Sequence, residues 1–167
     1  YDTREGRYDP RAQPIVEAHL IPVDPVAART WMDREEHAAR ANARLCDKLR
    51  VAIPRELNEA QRLQLVRDFV QDVTAGRVPW MFAIHQRGED THNPHAHIVL
   101  RDRDLETGKR VLRLSDSARD RAKAGLEPKA VEWIRERWER CANAALEHAG
   151  HAVRIDRRSL EAQGIDR

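Results

Sequence analysis

The sequence predicts an α+β domain in which helices cover an antiparallel β-sheet. Amphipathic helical segments and short strand segments follow one another without the regular strand-helix-strand alternation of a parallel sheet. Two apolar stretches, residues 80–85 and 95–100, are separated only by a polar loop, which is typical of an antiparallel hairpin. A chain of 167 residues with 41% hydrophobic content can bury one core, so we expect a single domain over residues 1–167.

Capping residues and periodicity predict the elements of the first third of the chain. Residues 1–22 contain three prolines and no helical period, and we expect them to be extended or looped. Asp24 followed by Pro25 is a helix start, which predicts a helix reaching to about Asp47. Residues 48–53 then alternate polar and apolar side chains, which predicts a short strand.

The remaining elements follow the same signals. Asn58 with Gln61 three residues later is an N-cap pattern, and apolar residues recur at helical spacing from there to a glycine at the end. After the two hairpin strands, a Glu-Thr-Gly turn predicts that residues 111–114 return as a further strand. A third helix is expected from Pro128 through Ala149.

Composition excludes several classes of protein. No apolar run is long enough to span a bilayer, which predicts a soluble, intracellular protein without membrane insertion. Cys46 and Cys141 lie far apart and outside any CxxC pair, so neither a disulfide framework nor a cysteine zinc site is expected. The net charge is +2, and only four of the thirty basic residues are lysines. This excess of arginine permits a nucleic-acid partner but does not require one.

The segment THNPHAHIVL, residues 91–100, indicates a metal site. His95 and His97 are two apart in a predicted strand and therefore point to the same face. His85, at the end of the preceding strand, can reach that face if the two strands pair. Three imidazoles leave coordination positions open, as in catalytic metal sites, including those of zinc hydrolases. His92 lies outside the strand alternation and is interpreted as a loop residue.

Several stretches carry a resemblance to a known family. The segment HAHIVL fits the HUHUUU pattern (U, hydrophobic) of the HUH endonucleases, which cut single-stranded DNA with a tyrosine. Together with five other stretches it resembles the relaxase domain of the MobA/MobL family, and in particular the members carried by IncQ-type plasmids. These stretches are YDTREGRY at 1–8, RANARL at 40–45, AIPREL at 52–57, AIHQRGEDTHNPHAHI at 83–98 and HAGHAVRIDRRSLEAQGIDR at 148–167.

The resemblance implies a reaction and the residues that carry it. Tyr1 corresponds to the nucleophile that nicks DNA at a plasmid origin of transfer and remains attached through a 5′-phosphotyrosyl bond. The metal triad falls on His85, His95 and His97, which implies one divalent ion: magnesium or manganese in function, with zinc or nickel able to enter in a crystal. The candidates to take the tyrosine proton are Glu56, at a position that the family also tends to fill with glutamate, and Glu5, which is nearer to Tyr1 in sequence.

The resemblance also implies DNA contacts, partners and a location. We expect single-stranded DNA of the origin of transfer (oriT), relaxosome accessory proteins and the coupling protein of a type IV secretion system as partners. The protein would act in the bacterial cytoplasm and travel with the DNA to the recipient cell. The expected DNA-binding residues are Arg4, Arg7, Arg11, Arg87, Arg101 and Trp80.

In two respects the sequence departs from the family. A family strand that precedes the nucleophile would lie upstream of residue 1, and we expect it to exist outside this numbering. We also expect residues 1–167 to be the relaxase domain in the N-terminal part of a longer protein. The family often has acidic residues in the strand before the PREL proline, where this chain has Lys48 and Arg50. The alternatives are a rolling-circle replication initiator or transposase of the same superfamily, a three-histidine zinc hydrolase, and a DNA-binding module that has lost cleavage.

Overall fold

The described residues form four antiparallel strands and four α-helices, which confirms the α+β class. The computed structural model describes residues 14–39, 44–159 and 161–164. The elements are β1 (Ile15–His19), α1 (Pro25–Ala38), β2 (Cys46–Ala52), α2 (Glu59–Thr74), β3 (Trp80–His85), β4 (His95–Arg101), α3 (Ala118–Lys123) and α4 (Ala130–His148), with 3-10 turns at Gly88–His92 and Glu161–Gln163. Among the described residues, none of the helices is both long and apolar enough to cross a membrane.

The sheet has the strand order β1-β3-β4-β2, and all three pairings are antiparallel. The predicted hairpin of β3 and β4 is confirmed, and its register sets His85 opposite His95. The other two strands extend this hairpin on either side, β1 beside β3 and β2 beside β4. In the β2–β4 pair, Ala52 lies opposite His95 and Arg50 opposite His97.

The two faces of the sheet have different surroundings. One face, here called the helix face, carries Phe82 and Ile98, which join the buried side chains of α2 and α4 in a single core cluster. Phe69 of α2 is fully buried, and its ring meets Trp138 of α4 edge to face at 5.0 Å. The other face carries His85, His95 and His97, and we call it the histidine face. Because side chains of a strand alternate between the two faces of the sheet, the core side chains and the three histidines lie on opposite faces.

Helix α2 begins as the capping pattern predicts. The Asn58 side chain accepts a hydrogen bond from the Gln61 amide, and the Gln61 side chain accepts one from the Asn58 amide, both at 2.9 Å. Two of the unpaired amides at the helix start are thereby satisfied. This helix carries Leu65 and Val66 into the core, and its position fixes the sheet that bears the histidines.

Helix α1 is shorter than predicted. It ends at Ala38 instead of reaching Asp47, because residues 46–52 alternate between the two faces and pair with β4. Ladder hydrogen bonds to a central strand satisfy the backbone of this segment as well as a helix would. The strand β1 lies within the stretch expected to be extended or looped, and α3 was not predicted.

The strand predicted at residues 111–114 does not form within the described part of the chain. A single bridge between Arg103 and Arg110 replaces it. Arg113 has a positive φ of 53°, which interrupts an extended conformation, and its amide donates to the Asp102 carboxylate. Ion pairs of Arg110 with Asp102 and Asp116 hold this segment in place of a strand ladder.

Candidate metal centre

Three histidines converge at one end of the histidine face. The ring centroids of His85 and His95 are 5.2 Å apart, and the His97 ring lies 5.1 Å from each of them. His85 ends β3, while His95 and His97 begin β4, so the hairpin register alone brings the three rings together. The structure therefore places the three predicted ligands in an almost equilateral triangle.

A local contact fixes the orientation of the His95 ring. Its Nδ1 lies 2.9 Å from the carbonyl oxygen of Asn93. A carbonyl oxygen only accepts, so Nδ1 carries the proton and Nε2 keeps a lone pair for a metal. Pro94 follows Asn93, and its carbonyl accepts a hydrogen bond of 2.8 Å from the amide of Ile53. The Asn-Pro-His sequence is thus anchored to the residue that follows β2.

Asp90 is a member of the site that sequence reasoning missed. It lies in the 3-10 turn between the two strands, and its Oδ2 is 3.6 Å from Nδ1 of His85. One ligand atom each from His85, Asp90 and His95 lies within 4.8 Å of the others. The sequence does place two acidic residues, Glu89 and Asp90, in the loop between β3 and β4. Only the geometry of the 3-10 turn shows that Asp90, and not Glu89, contacts His85.

The donor set fits a divalent transition metal. The three ring centroids lie 5.1 to 5.2 Å apart, and ligand atoms of His85, Asp90 and His95 lie within 4.8 Å of one another, close enough to share one ion. Burial, reinforced by His95, lowers the pKa of His85 below its usual range despite the opposing charge of Asp90. Burial and the two neighbouring histidines likewise lower the pKa of His97. Neutral imidazoles are the form that binds metal, so both rings are ready to coordinate near pH 7.

Two of the residues expected to bind DNA are engaged inside the fold, which corrects their assignment. Arg101 is buried on the histidine face beneath α1, where it donates 2.8 Å hydrogen bonds to the Glu35 carboxylate and the Leu45 carbonyl. Trp80 is buried on the helix face and stacks on Phe82 at 5.4 Å. Neither side chain is available to stack on a base or contact a phosphate in this conformation.

The other expected residues have more open surroundings. Arg87 is exposed and donates two hydrogen bonds to Glu59, at 3.1 and 2.9 Å. Glu56 is exposed in the turn that follows β2. The sites predicted at Tyr1, Arg4, Arg7 and Arg11 lie outside the described residues.

Comparisons with known proteins agree with this architecture. The profile of the MobA/MobL family matches residues 13–167. The chain is 36% identical to "Mobilization protein A" of Escherichia coli, aligning over 100% of its own length and 25% of that protein. It is 37% identical to the "43 kDa relaxation protein" of Salmonella typhimurium over 77% of its length and 39% of that protein. The chain therefore spans less than half of each of these relatives.

A solved structure supports the fold independently. It is described as "Molecular Basis of Vancomycin Resistance Transfer in Staphylococcus aureus" and superposes with a TM-score of 0.61. The match has 24% sequence identity and covers 88% of this chain and 76% of that one, which supports the fold alone. On the strength of the profile match over residues 13–167 and of the 36% identity along its own length, the chain belongs to the MobA/MobL family.

Proposed function

We propose that this chain is a relaxase domain that nicks one strand of plasmid DNA at its origin of transfer. The observation that carries the proposal is the triangle of His85, His95 and His97 on the histidine face of a MobA/MobL-family fold. The relatives' names, a mobilization protein and a relaxation protein, support a role in plasmid mobilisation over replication or transposition.

The three histidines would hold one divalent ion, which we propose to be magnesium or manganese in function. When bound, such an ion supplies Lewis-acid stabilisation of the charge that develops on the non-bridging phosphate oxygens. The phosphate would lie beside the three rings, whose centroids are 5.1 to 5.2 Å apart. Asp90 keeps the His85 ring in place through Nδ1.

Tyr1 is the proposed nucleophile, on the basis of its position in the YDTREGRY stretch. Its phenolic oxygen would form a bond to phosphorus while the bond to the departing 3′-oxygen breaks. The products are a 5′-phosphotyrosyl link and a free 3′-hydroxyl. A phenol has an ordinary pKa of about 10, so its proton needs an acceptor at neutral pH. We propose Glu56 as the acceptor of this proton. It lies in the turn that follows β2, and the last residue of β2, Ala52, lies opposite His95.

We also propose the DNA substrate, the partner proteins and the cellular location of the reaction. Single-stranded DNA of the origin of transfer is the proposed substrate, presented by relaxosome accessory proteins. The covalent complex would then pass to the coupling protein of a type IV secretion system. We place nicking in the cytoplasm of the donor bacterium and rejoining, by reversal of the same step, in the recipient.

Formation of a covalent DNA adduct tests nucleophile and reaction type together. The protein is incubated with manganese and labelled single-stranded candidate origins, and the adduct is detected as a shifted band in a denaturing gel. We expect Tyr1→Phe to abolish the adduct. Tyr8→Phe is the matched control, since Tyr8 is the other tyrosine of the chain, and it should retain the adduct. An adduct formed at the wild-type rate by the Tyr1 variant would refute the mechanism.

Metal content is tested separately by elemental analysis of the purified protein. The double change His95→Ala and His97→Ala should remove the bound ion. His92→Ala is the control, because His92 is an exposed residue of the 3-10 turn. Undiminished metal in the double variant would refute the ligand assignment. A metal-dependent hydrolase, the remaining alternative, would lose hydrolysis with the histidines and would form no adduct with DNA.

A further inference from the structure

Two cationic side chains lie beside the histidine triangle on strand β2. The register sets Arg50 directly opposite His97 and Lys48 opposite Val99. Directly opposed residues share a face of the sheet, so Arg50 and Lys48 both lie on the histidine face. Both are exposed, and neither forms a side-chain hydrogen bond or ion pair with any residue in the ranges 14–39, 44–159 and 161–164.

Other arginines around the site are neutralised by carboxylates. Arg101 is paired with Glu35 and Arg87 with Glu59. Arg50 differs because, among the described residues, no carboxylate pairs with it, while the register sets it directly opposite His97. A cation beside a cation site weakens metal binding unless an anion contacts both. The arrangement therefore indicates a ligand with negative charge at this point.

We propose that Arg50, assisted by Lys48, binds the backbone phosphate next to the scissile one and directs the DNA strand across β2. The inference rests on the proposed function. A guanidinium suits this task because its planar fork donates two parallel hydrogen bonds to phosphate oxygens.

The surface beyond β2 continues the same path. A groove of about 830 Å³ runs along the outer edge of β2 and is closed on its other side by α4 and the segment that follows it. Six cationic and three acidic side chains line it, a net charge of +3. Leu49, Ile134 and Trp138 contribute apolar surface between the charges. Cations interleaved with apolar and aromatic side chains are the usual lining of a single-strand path.

Affinities for DNA and for metal should move in opposite directions when Arg50 is changed. We would compare Arg50→Gln with Arg119→Gln, an exposed arginine of α3 that loses the same charge. DNA affinity is measured by fluorescence anisotropy with a labelled oligothymidylate of about 20 nucleotides, because a backbone contact does not depend on sequence. Manganese affinity is measured by calorimetry without DNA.

For Arg50→Gln we expect DNA affinity to fall about five- to tenfold and the slope of log K against log salt to decrease by about 0.7. Manganese affinity should rise about two- to fivefold, because a like charge has been removed. Arg50→Lys should keep the wild-type manganese affinity and lose part of the DNA affinity, since it retains the charge without the fork.

Two results would overturn the proposal: a DNA affinity of Arg50→Gln equal to that of Arg119→Gln, or a loss of manganese affinity in parallel with DNA affinity. The second result would indicate a structural role for Arg50. Neither measurement depends on cleavage, so a failure of this inference is distinguishable from a failure of the nicking reaction, which only the adduct assay reports.

Discussion

Replacing Asp90 by alanine is expected to weaken divalent-metal binding while leaving the fold intact. Asp90 contacts His85 through Nδ1 at 3.6 Å, and no core side chain depends on it. Partners that orient a metal-bound histidine are worth about 10- to 100-fold in metal affinity. The contact is longer than a normal hydrogen bond and both side chains are about one-third exposed or more, so solvent weakens it.

We therefore expect the lower end of that range, about tenfold, which corresponds to about 1.4 kcal/mol of binding free energy. The assay is calorimetric titration of the metal-free protein with manganese, accompanied by thermal unfolding. Glu89→Ala is the matched control, because it removes the same charge from the adjacent position of the same 3-10 turn. His85→Ala provides the reference for complete loss of a ligand.

The comparison between the two acidic residues decides the outcome. If Asp90→Ala and Glu89→Ala weakened manganese binding equally, the effect would be one of general charge and the orienting role of Asp90 would be refuted. If Asp90→Ala lost as much affinity as His85→Ala, Asp90 would be a direct ligand. Asp90→Asn should recover part of the affinity, because an amide oxygen can still accept from Nδ1 of His85.

Three further predictions concern pH and stability. Because the pKa values of His85 and His97 lie below the ordinary 6.5, manganese affinity should stay nearly constant near pH 7 and fall only below pH 6.5. In the metal-free protein below pH 6.5, the unfolded chain binds more protons than the folded one, so the free energy of unfolding should also fall. A urea midpoint that rose on acidification would contradict this. Arg121→Met should lower the free energy of unfolding by about 3 kcal/mol, because the buried guanidinium donates to three carbonyls; an unchanged urea midpoint would show that water replaces it. Phe69→Ala should lower the free energy of unfolding by about 3 to 5 kcal/mol in the same urea assay, while the manganese affinity of the folded protein stays unchanged. A loss below 1 kcal/mol would mean that neighbouring core side chains fill the cavity.

The centre of the site was predictable because its information is local. His95 and His97 are two residues apart in a strand, and one polar loop connects their strand to that of His85. Strand period and hairpin pairing are enough to bring the three rings together, and the structure has the register that this reasoning requires. Helix α2 was predictable for the same reason, since its capping pattern and its apolar period lie within a short segment.

Several of the errors arose where distant parts of the chain decide the outcome, whereas the assignment of Trp80 overlooked a local pattern. Trp80 is five residues from His85 in the same strand, and this odd spacing already places it on the opposite face. Arg101 lies on the same face of β4 as His95 and His97, but it is buried and Glu35 of α1 neutralises it. No local pattern reveals that a carboxylate from earlier in the chain pairs with the end of β4. The contact of Asp90 likewise depends on the 3-10 turn, which the spacing of acidic residues does not indicate.

The hairpin origin of the metal centre has a consequence for the order of folding. All three histidines lie between residues 85 and 97, so closing one short loop is enough to bring them together. Strands β1 and β2 join the sheet through contacts that are far more distant along the chain. A metal ion can therefore bind the hairpin before the rest of the sheet has docked. Manganese should then accelerate folding itself, and not only slow unfolding, because it stabilises a part of the structure that is already present at the transition state.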